Sequence, residues 1–238
     1  MDKYKLTEET ITAPGGAVLH RIQAIVDFKL ADGTTVPAGA LGGWVENEGN
    51  LSQTGKAWVY GDARVYGKAC VSGDAMVYGG AEVYDDARVY DNARVDGNAR
   101  VYDKAAVYGS AQVYGSASVN GDARVIDEAQ VSEHAMVCGN ALVYGRASIC
   151  GEAQVKDTND YSVFKNAWSS GRWFTYTRSN GMWAVGCFRG TGDELIAKAY
   201  KDSELSGKCY EAIVRAQEAV DRELNAHAEN DGGMDDPK

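Results

Sequence analysis

The sequence predicts a mainly β protein: a three-sided solenoid with an N-terminal β cap and a small C-terminal α+β domain. Three observations carry this. Alanine recurs at every sixth position from Ala57 to Ala153, seventeen times without a slip. Valine stands two residues after each alanine, with Ile149 the one exception. Most hexads then close on glycine or aspartate, as at Gly61, Gly67, Gly73, Asp85 and Asp91.

Two apolar residues spaced two apart share one side of a strand. Ala57 and Val59 therefore face inward, and the residue between them faces out. These middle positions hold Trp58, Arg64, Cys70, Met76, Glu82 and Arg88, a mixed and largely solvated set. Glycine and aspartate tolerate corners, so each hexad is one short strand and one turn. Such a unit buries its inner face only by stacking on others. Helix is excluded by the six-residue period and by the density of Val, Tyr and Gly.

Coil size follows from charge. With three hexads per coil, residues eighteen apart stack. The outer columns then read Lys68, Asp86, Lys104, Asp122 and Arg64, Glu82, Arg100, alternating in sign. A twelve-residue coil sets Arg88 beside Arg100, which is unfavourable, although it lines up Tyr66, Tyr78, Tyr90, Tyr102 and Tyr114. The charges favour three walls.

The pattern V-x-x-x-A-x (Val59 with Ala63, Val65 with Ala69) resembles the hexapeptide repeat of left-handed parallel β-helix proteins. This chain departs from the enzymes of that class by carrying Tyr directly after the aliphatic residue. The stretch LGGWVENEGNLS, followed by AWVYGDARVYG and later by VGCFRGTGDEL, resembles hexapeptide-repeat proteins encoded in bacteriophages and prophages. That resemblance spans nearly the full length. It implies a phage-derived protein acting in the cytoplasm of a bacterial host, and it transfers no catalytic residues.

Residues 1–38 read as the β cap, since an uncapped coil exposes strand edges. Val18 to Leu30 is rich in Ile, Val and Phe, and Ala31-Asp32-Gly33 offers a turn before Thr34-Thr35-Val36. The solenoid is expected over residues 39–157, with Val45 and Leu51 already in the inward phase. The C-terminal domain is expected over residues 158–228, where aromatic residues crowd in. Ser179-Asn180-Gly181 marks a hairpin between residues 172–178 and 182–188, because Asn-Gly accepts positive φ. Thr191-Gly192-Asp193-Glu194 is a capping box opening a helix that runs to about Lys201. A second helix after Ser206-Gly207 carries Cys209, Ile213, Ala216, Val220 and Leu224 in one apolar stripe. The plainer reading packs that stripe on the hairpin; the sharper one makes it a coiled-coil seam between protomers. Residues 229–238 read as an acidic, disordered tail.

A net charge of −10 argues against a nucleic-acid surface, although Arg88, Arg94, Arg100 and Arg124 allow a local basic strip. MDKYKLTEET is no signal peptide, and no apolar run spans a membrane. The cysteines, five in number and without metal spacing, read as free thiols of a reducing cytoplasm. No metal site and no cofactor is expected.

The candidate catalytic residue is His134, alone among the three histidines in lying within the repeats. By analogy with hexapeptide acyltransferases it would act as a base in a groove between subunits. A decorative surface histidine is the favoured alternative. The candidate binding cluster is Arg172, Trp173, Arg178, Trp183, Arg189 and Thr191 around Gly190 and Gly192, suited to a phosphate at a helix start and an indole stacked on a base. Against it, the tryptophans are needed for the core of so small a domain. The expected function is a non-enzymatic scaffold that binds a host factor or defence component through its C-terminal module and its solenoid surface, where outward tyrosines such as Tyr60, Tyr66, Tyr78 and Tyr84 suit recognition. It is expected to be a homo-oligomer, trimeric or dimeric. Sequestration of a nucleotide-like small molecule and acyl transfer are the alternatives.

Overall fold

A computed structural model describes residues 2–231. The chain divides into two compact units, Met1–Tyr161 and Ser162–Lys238.

In the first unit every hexad forms a two-residue strand, from Trp58–Val59 to Gln154–Val155. Each strand pairs in parallel with the strand eighteen residues on, as in Arg64↔Glu82, Arg88↔Ala106 and Arg94↔Gln112. Three parallel sheets result. The first wall holds the strands that begin at Arg64, Glu82, Arg100, Ser118, Met136 and Gln154. The second runs from Cys70 to Leu142, and the third from Trp58 to Ser148. The seventeen alanines, their valines and Ile149 are fully buried. A lining of small and β-branched side chains suits a narrow triangular core, where bulkier groups would overfill the interior.

Every corner from Gly61 to Gly151 has a left-handed backbone. Eleven are glycine, and five are Asp85, Asp91, Asp103, Asp127 and Glu133 at φ of 56–61°. The acidic corners share one arrangement. A carboxylate oxygen accepts the backbone N–H of the corner eighteen residues on: Asp91 from Gly109 at 3.2 Å, Asp103 from Gly121 at 3.0 Å, Asp127 from Gly145 at 3.0 Å and Glu133 from Gly151 at 2.7 Å. A charge-assisted hydrogen bond thus offsets the strain of a left-handed L residue.

The coil is polar along its axis, and the ends are closed accordingly. Backbone N–H groups point toward the C-terminal coil, as in Tyr84 N–H to Val101 O at 3.0 Å. The first coil therefore presents open carbonyls and the last presents open N–H groups. Donors close the first end. Lys3 Nζ donates to Ala57 O at 2.7 Å, Tyr4 Oη to Leu51 O at 2.7 Å, and Asn50 Nδ2 to Ala69 O at 2.9 Å. Acceptors serve the other. Thr158 Oγ1 takes Leu142 N–H at 3.2 Å, and Tyr161 Oη takes Tyr144 N–H at 3.3 Å. Each end also carries a short 3-10 turn with a capping box, Asn47 with Asn50 and Asp157 with Asp160. Burial pulls the Lys3 ammonium down to about 8, with Asp74 opposing.

The N-terminal cap holds one strand more than the sequence indicates. A nine-residue strand, Tyr4–Thr12, precedes Val18–Ala24 and pairs with it antiparallel. Val18–Ala24 pairs with Leu41–Val45, which joins the first wall in parallel at Trp44↔Arg64 and Val45↔Val65. Val45 and Leu51 are fully buried, in the inward phase expected of them.

The second unit has a sheet ordered Tyr161–Lys165, Trp173–Thr177, Met182–Val185, Phe188–Gly190. Its expected hairpin is present, with Tyr176 opposite Trp183. The helices α1 (Gly192–Asp202) and α2 (Glu204–Asp231) follow. Thr191 caps α1 through the expected capping box with Glu194. A Cβ at Gly207 would lie 2.2 Å from the Tyr200 ring, so glycine sets how closely the two helices approach. The core joins Phe174, Tyr176, Trp183, Leu195, Tyr210 and Val214. Residues 229–231 continue α2, a correction to the expected start of the tail. The rest of that tail, 232–238, lies outside the described residues.

Candidate functional site

Side chains on the outer walls are organised by the eighteen-residue stack. Arg64 meets Glu82 at 3.1 Å and Lys68 meets Asp86 at 4.0 Å, as the alternating columns require. The tyrosines also stack at eighteen residues. Tyr66, Tyr84 and Tyr102 form one column with ring centroids 5.1 and 5.0 Å apart, and Tyr90 and Tyr108 another at 4.7 Å. Asn120 Nδ2 donates to Tyr102 Oη and continues the first column. Except for Tyr144, the repeat tyrosines are half-buried, and the five that stack are structural ladders rather than a fully exposed recognition surface. Burial pushes the Tyr66 and Tyr78 phenols up to about 12. The four arginines do not form one strip. Arg88 and Arg124 stand on the second wall, Arg94 on the third and Arg100 on the first.

His134 occupies an exposed corner beside Glu133, and its backbone N–H bonds Gly151 O at 3.0 Å. Among the described residues no group of three or more His, Cys, Asp or Glu is arranged to hold a metal.

The six residues of the C-terminal cluster go to separate tasks. Trp183 is 2 % exposed, with Tyr176 and Phe164 rings at 5.0 and 5.7 Å. Trp173 lies exposed under Lys165 Nζ at 5.6 Å. Arg178 Nε donates to Asp221 Oδ1 at 3.2 Å, a carboxylate that also accepts from Gln217 Nε2 at 3.1 Å and from Tyr176 Oη. Burial, followed by the Asp221 hydrogen bond, drives the Tyr176 phenol strongly upward. Arg189 Nη1 donates to the carbonyls of Gly186 at 2.7 Å and Phe188 at 2.8 Å. Thr191 N–H donates to Glu194 Oε2 at 2.8 Å, so a protein carboxylate already sits at the start of α1.

Arg172 alone of the six lines a pocket of about 430 Å³ in this unit. Its buried lining includes Asn166, Leu195, Ala199, Ser206 and Tyr210. Asn166 Nδ2 donates to Tyr210 Oη at 3.1 Å and to Ser169 Oγ at 2.9 Å. The Tyr210 hydroxyl hydrogen is left without an acceptor among the described residues. At the exposed rim stand Arg172, Lys198, Asp202 and Cys187. Lys198 Nζ lies over the Phe188 ring at 5.7 Å. Sequence reading missed this pocket, because its lining comes from a loop, a sheet edge and both helices. Arg172 was the one local signal.

The outer side of α2 is the second candidate surface. Its anchoring face is Ser206, Tyr210, Val214 and Gln217, all buried. The apolar stripe read from the sequence lies to one side of that face. Cys209 and Ile213 are half-buried, and Ile213 touches the core edge. Ala216, Val220 and Leu224 are exposed, the last two at 49 % and 45 %. The stripe therefore does not pack on the hairpin over its length, a correction to the plainer reading. Tyr210 and Val214 in the core, with Tyr176 and Arg178 bonded to Asp221, anchor the helix instead.

The repeat, its stacking and its closed ends define the class: this is a β-solenoid repeat protein with a C-terminal α+β unit. A family model described as YdcK Beta solenoid repeat matches residues 87–100. The matched stretch crosses the strands Arg88–Val89 and Arg94–Val95 and the corners at Asp91 and Gly97. No curated protein matches the chain. Among the described residues no helix is long and apolar enough to cross a membrane.

Proposed function

We propose that the chain is a phage-type, non-enzymatic interaction scaffold. It works in the cytoplasm of a bacterial host, assembles as a dimer or trimer, and holds a host factor or defence component through its C-terminal unit. Support for the phage setting is the resemblance of LGGWVENEGNLS and the hexads that follow. The observation that carries the binding role is the exposure of Val220 and Leu224 on a helix already anchored by its other face. Apolar side chains aligned on an exposed helix face mark a protein interaction surface. The solenoid supplies a stiff base, since each coil is bonded to its neighbours along three walls.

The test is capture from bacterial lysate with the full chain and with a Val220→Asp, Leu224→Asp double variant, alongside the mass of each in solution. The expected result is a saturable partner held by the wild type and lost by the variant at unchanged helicity. A monomeric mass together with no saturable partner overturns the reading.

A further inference from the structure

We propose that the pocket between the sheet edge and the two helices of the C-terminal unit binds a small hydroxylated oxyanion, a hydroxy-acid or the phosphate ester of a small polyol. The inference does not rest on the scaffold reading. It rests on four features of the pocket that point to one ligand chemistry.

The first is size. A volume of about 430 Å³ falls in the range of small-molecule sites, about 300–1,000 Å³. Charge is the second. Arg172 and Lys198 stand at the rim against one carboxylate, Asp202, and neither cation makes an ion pair or a side-chain hydrogen bond among the described residues. In a chain of net charge −10 this is a locally cationic mouth. The third feature is the buried donor. Asn166 fixes Tyr210 Oη by donating to it at 3.1 Å, which leaves the phenolic O–H to donate to whatever enters. Asn166 itself is 2 % exposed, and its carbonyl oxygen accepts from Ser169 N–H at 2.9 Å, so the group that orients Tyr210 is itself held. The fourth is the apolar floor of Leu195 and Ala199, which excludes water and strengthens each polar contact. An oxyanion between Arg172 and Lys198, with its hydroxyls shared by Tyr210 and Asp202, satisfies all of these groups together.

Cys187 makes the idea measurable on the unmodified protein. It lines the same pocket and is exposed, whereas the other four cysteines are half-buried or buried. Modification of Cys187 is timed by mass spectrometry with an anionic and a cationic methanethiosulfonate of equal size. With each rate divided by that reagent's rate on free cysteine, the anionic reagent is expected to react about threefold faster or more at low ionic strength, with the preference vanishing in high salt. The net charge of the chain alone predicts the opposite order. The second arm adds 3-phosphoglycerate, glycerate or neutral glycerol at 10 mM. For a dissociation constant of about 1 mM, an oxyanion slows labelling about tenfold, and glycerol does not. Arg172→Ala with Lys198→Ala removes both effects, and Tyr210→Phe weakens protection while keeping the reagent preference. Faster reaction with the cationic reagent, equal protection by glycerol, no protection by either oxyanion, or protection that survives the double variant each overturns the proposal.

Discussion

Replacing Asp103 by alanine or by glycine separates two contributions that meet at one corner. Asp103 sits at φ 57°, and its carboxylate accepts Gly121 N–H at 3.0 Å. Left-handed backbone costs an L residue about 1–2 kcal/mol, less for aspartate than for alanine, and glycine almost nothing. The hydrogen bond, exposed but charge-assisted, contributes about 1 kcal/mol. Alanine loses the bond and keeps the strain, so Asp103→Ala destabilises by about 1–2 kcal/mol. Glycine loses the same bond and relieves the strain, so Asp103→Gly stays within about 0.5 kcal/mol of the wild type. Urea unfolding midpoints measure the difference, and amide exchange at Gly121 reports the lost acceptor in both variants. Equal stability of the two variants, or glycine the weaker, refutes the account of acidic corners.

Two further outcomes follow from the same contacts. Burial raises the folded-state phenols of Tyr66 and Tyr78 to about 12, above the ordinary value of 10. Between pH 10 and 12 the folded state therefore holds more protons than the unfolded one, and stability falls as pH rises through that window. Tyrosinate absorbance should lag that of free tyrosine and then rise together with unfolding; Tyr66 and Tyr78 titrating near 10 in the folded protein contradict their burial. Asp221→Ala strips the common acceptor from Tyr176, Arg178 and Gln217 and should cost about 2 kcal/mol in thermal unfolding of the C-terminal unit. A change under 0.5 kcal/mol would show that α2 is held by its apolar contacts alone.

How much of this was legible in the sequence depends on how local the cause was. The hexads were readable because each carries its own strand and corner, and one inward valine fixes the phase of the next. The charge columns chose three walls correctly, since Arg64 and Glu82 are neighbours only at eighteen residues. The tyrosines that argued for twelve were misleading because Tyr occupies nine of the seventeen hexads and recurs at twelve as well as at eighteen residues, which makes its spacing uninformative until the stacking partner is known. Tyr4–Thr12 was missed because YKLTEETIT has little alternation, and much of the strand is exposed on both faces. The anchoring face of α2 was missed for the opposite reason. Asp221 looks like a solvated residue, and only Tyr176 and Arg178, some forty positions earlier, make its partial burial favourable, after which Gln217 donates to the same carboxylate one turn away. The pocket was invisible except for Arg172, since Asn166 and Tyr210 meet only in the folded unit.

The claim beneath all of this is the eighteen-residue coil, and trans-hydrogen-bond scalar coupling between amide nitrogen and carbonyl carbon reads it directly. In deuterated, doubly labelled protein the account predicts couplings from Tyr84 N to Val101 C′ and from Tyr90 N to Val107 C′, each seventeen residues on, across bonds of 3.0 and 3.1 Å. Couplings to carbonyls about eleven residues away, or none between hexads, would contradict it.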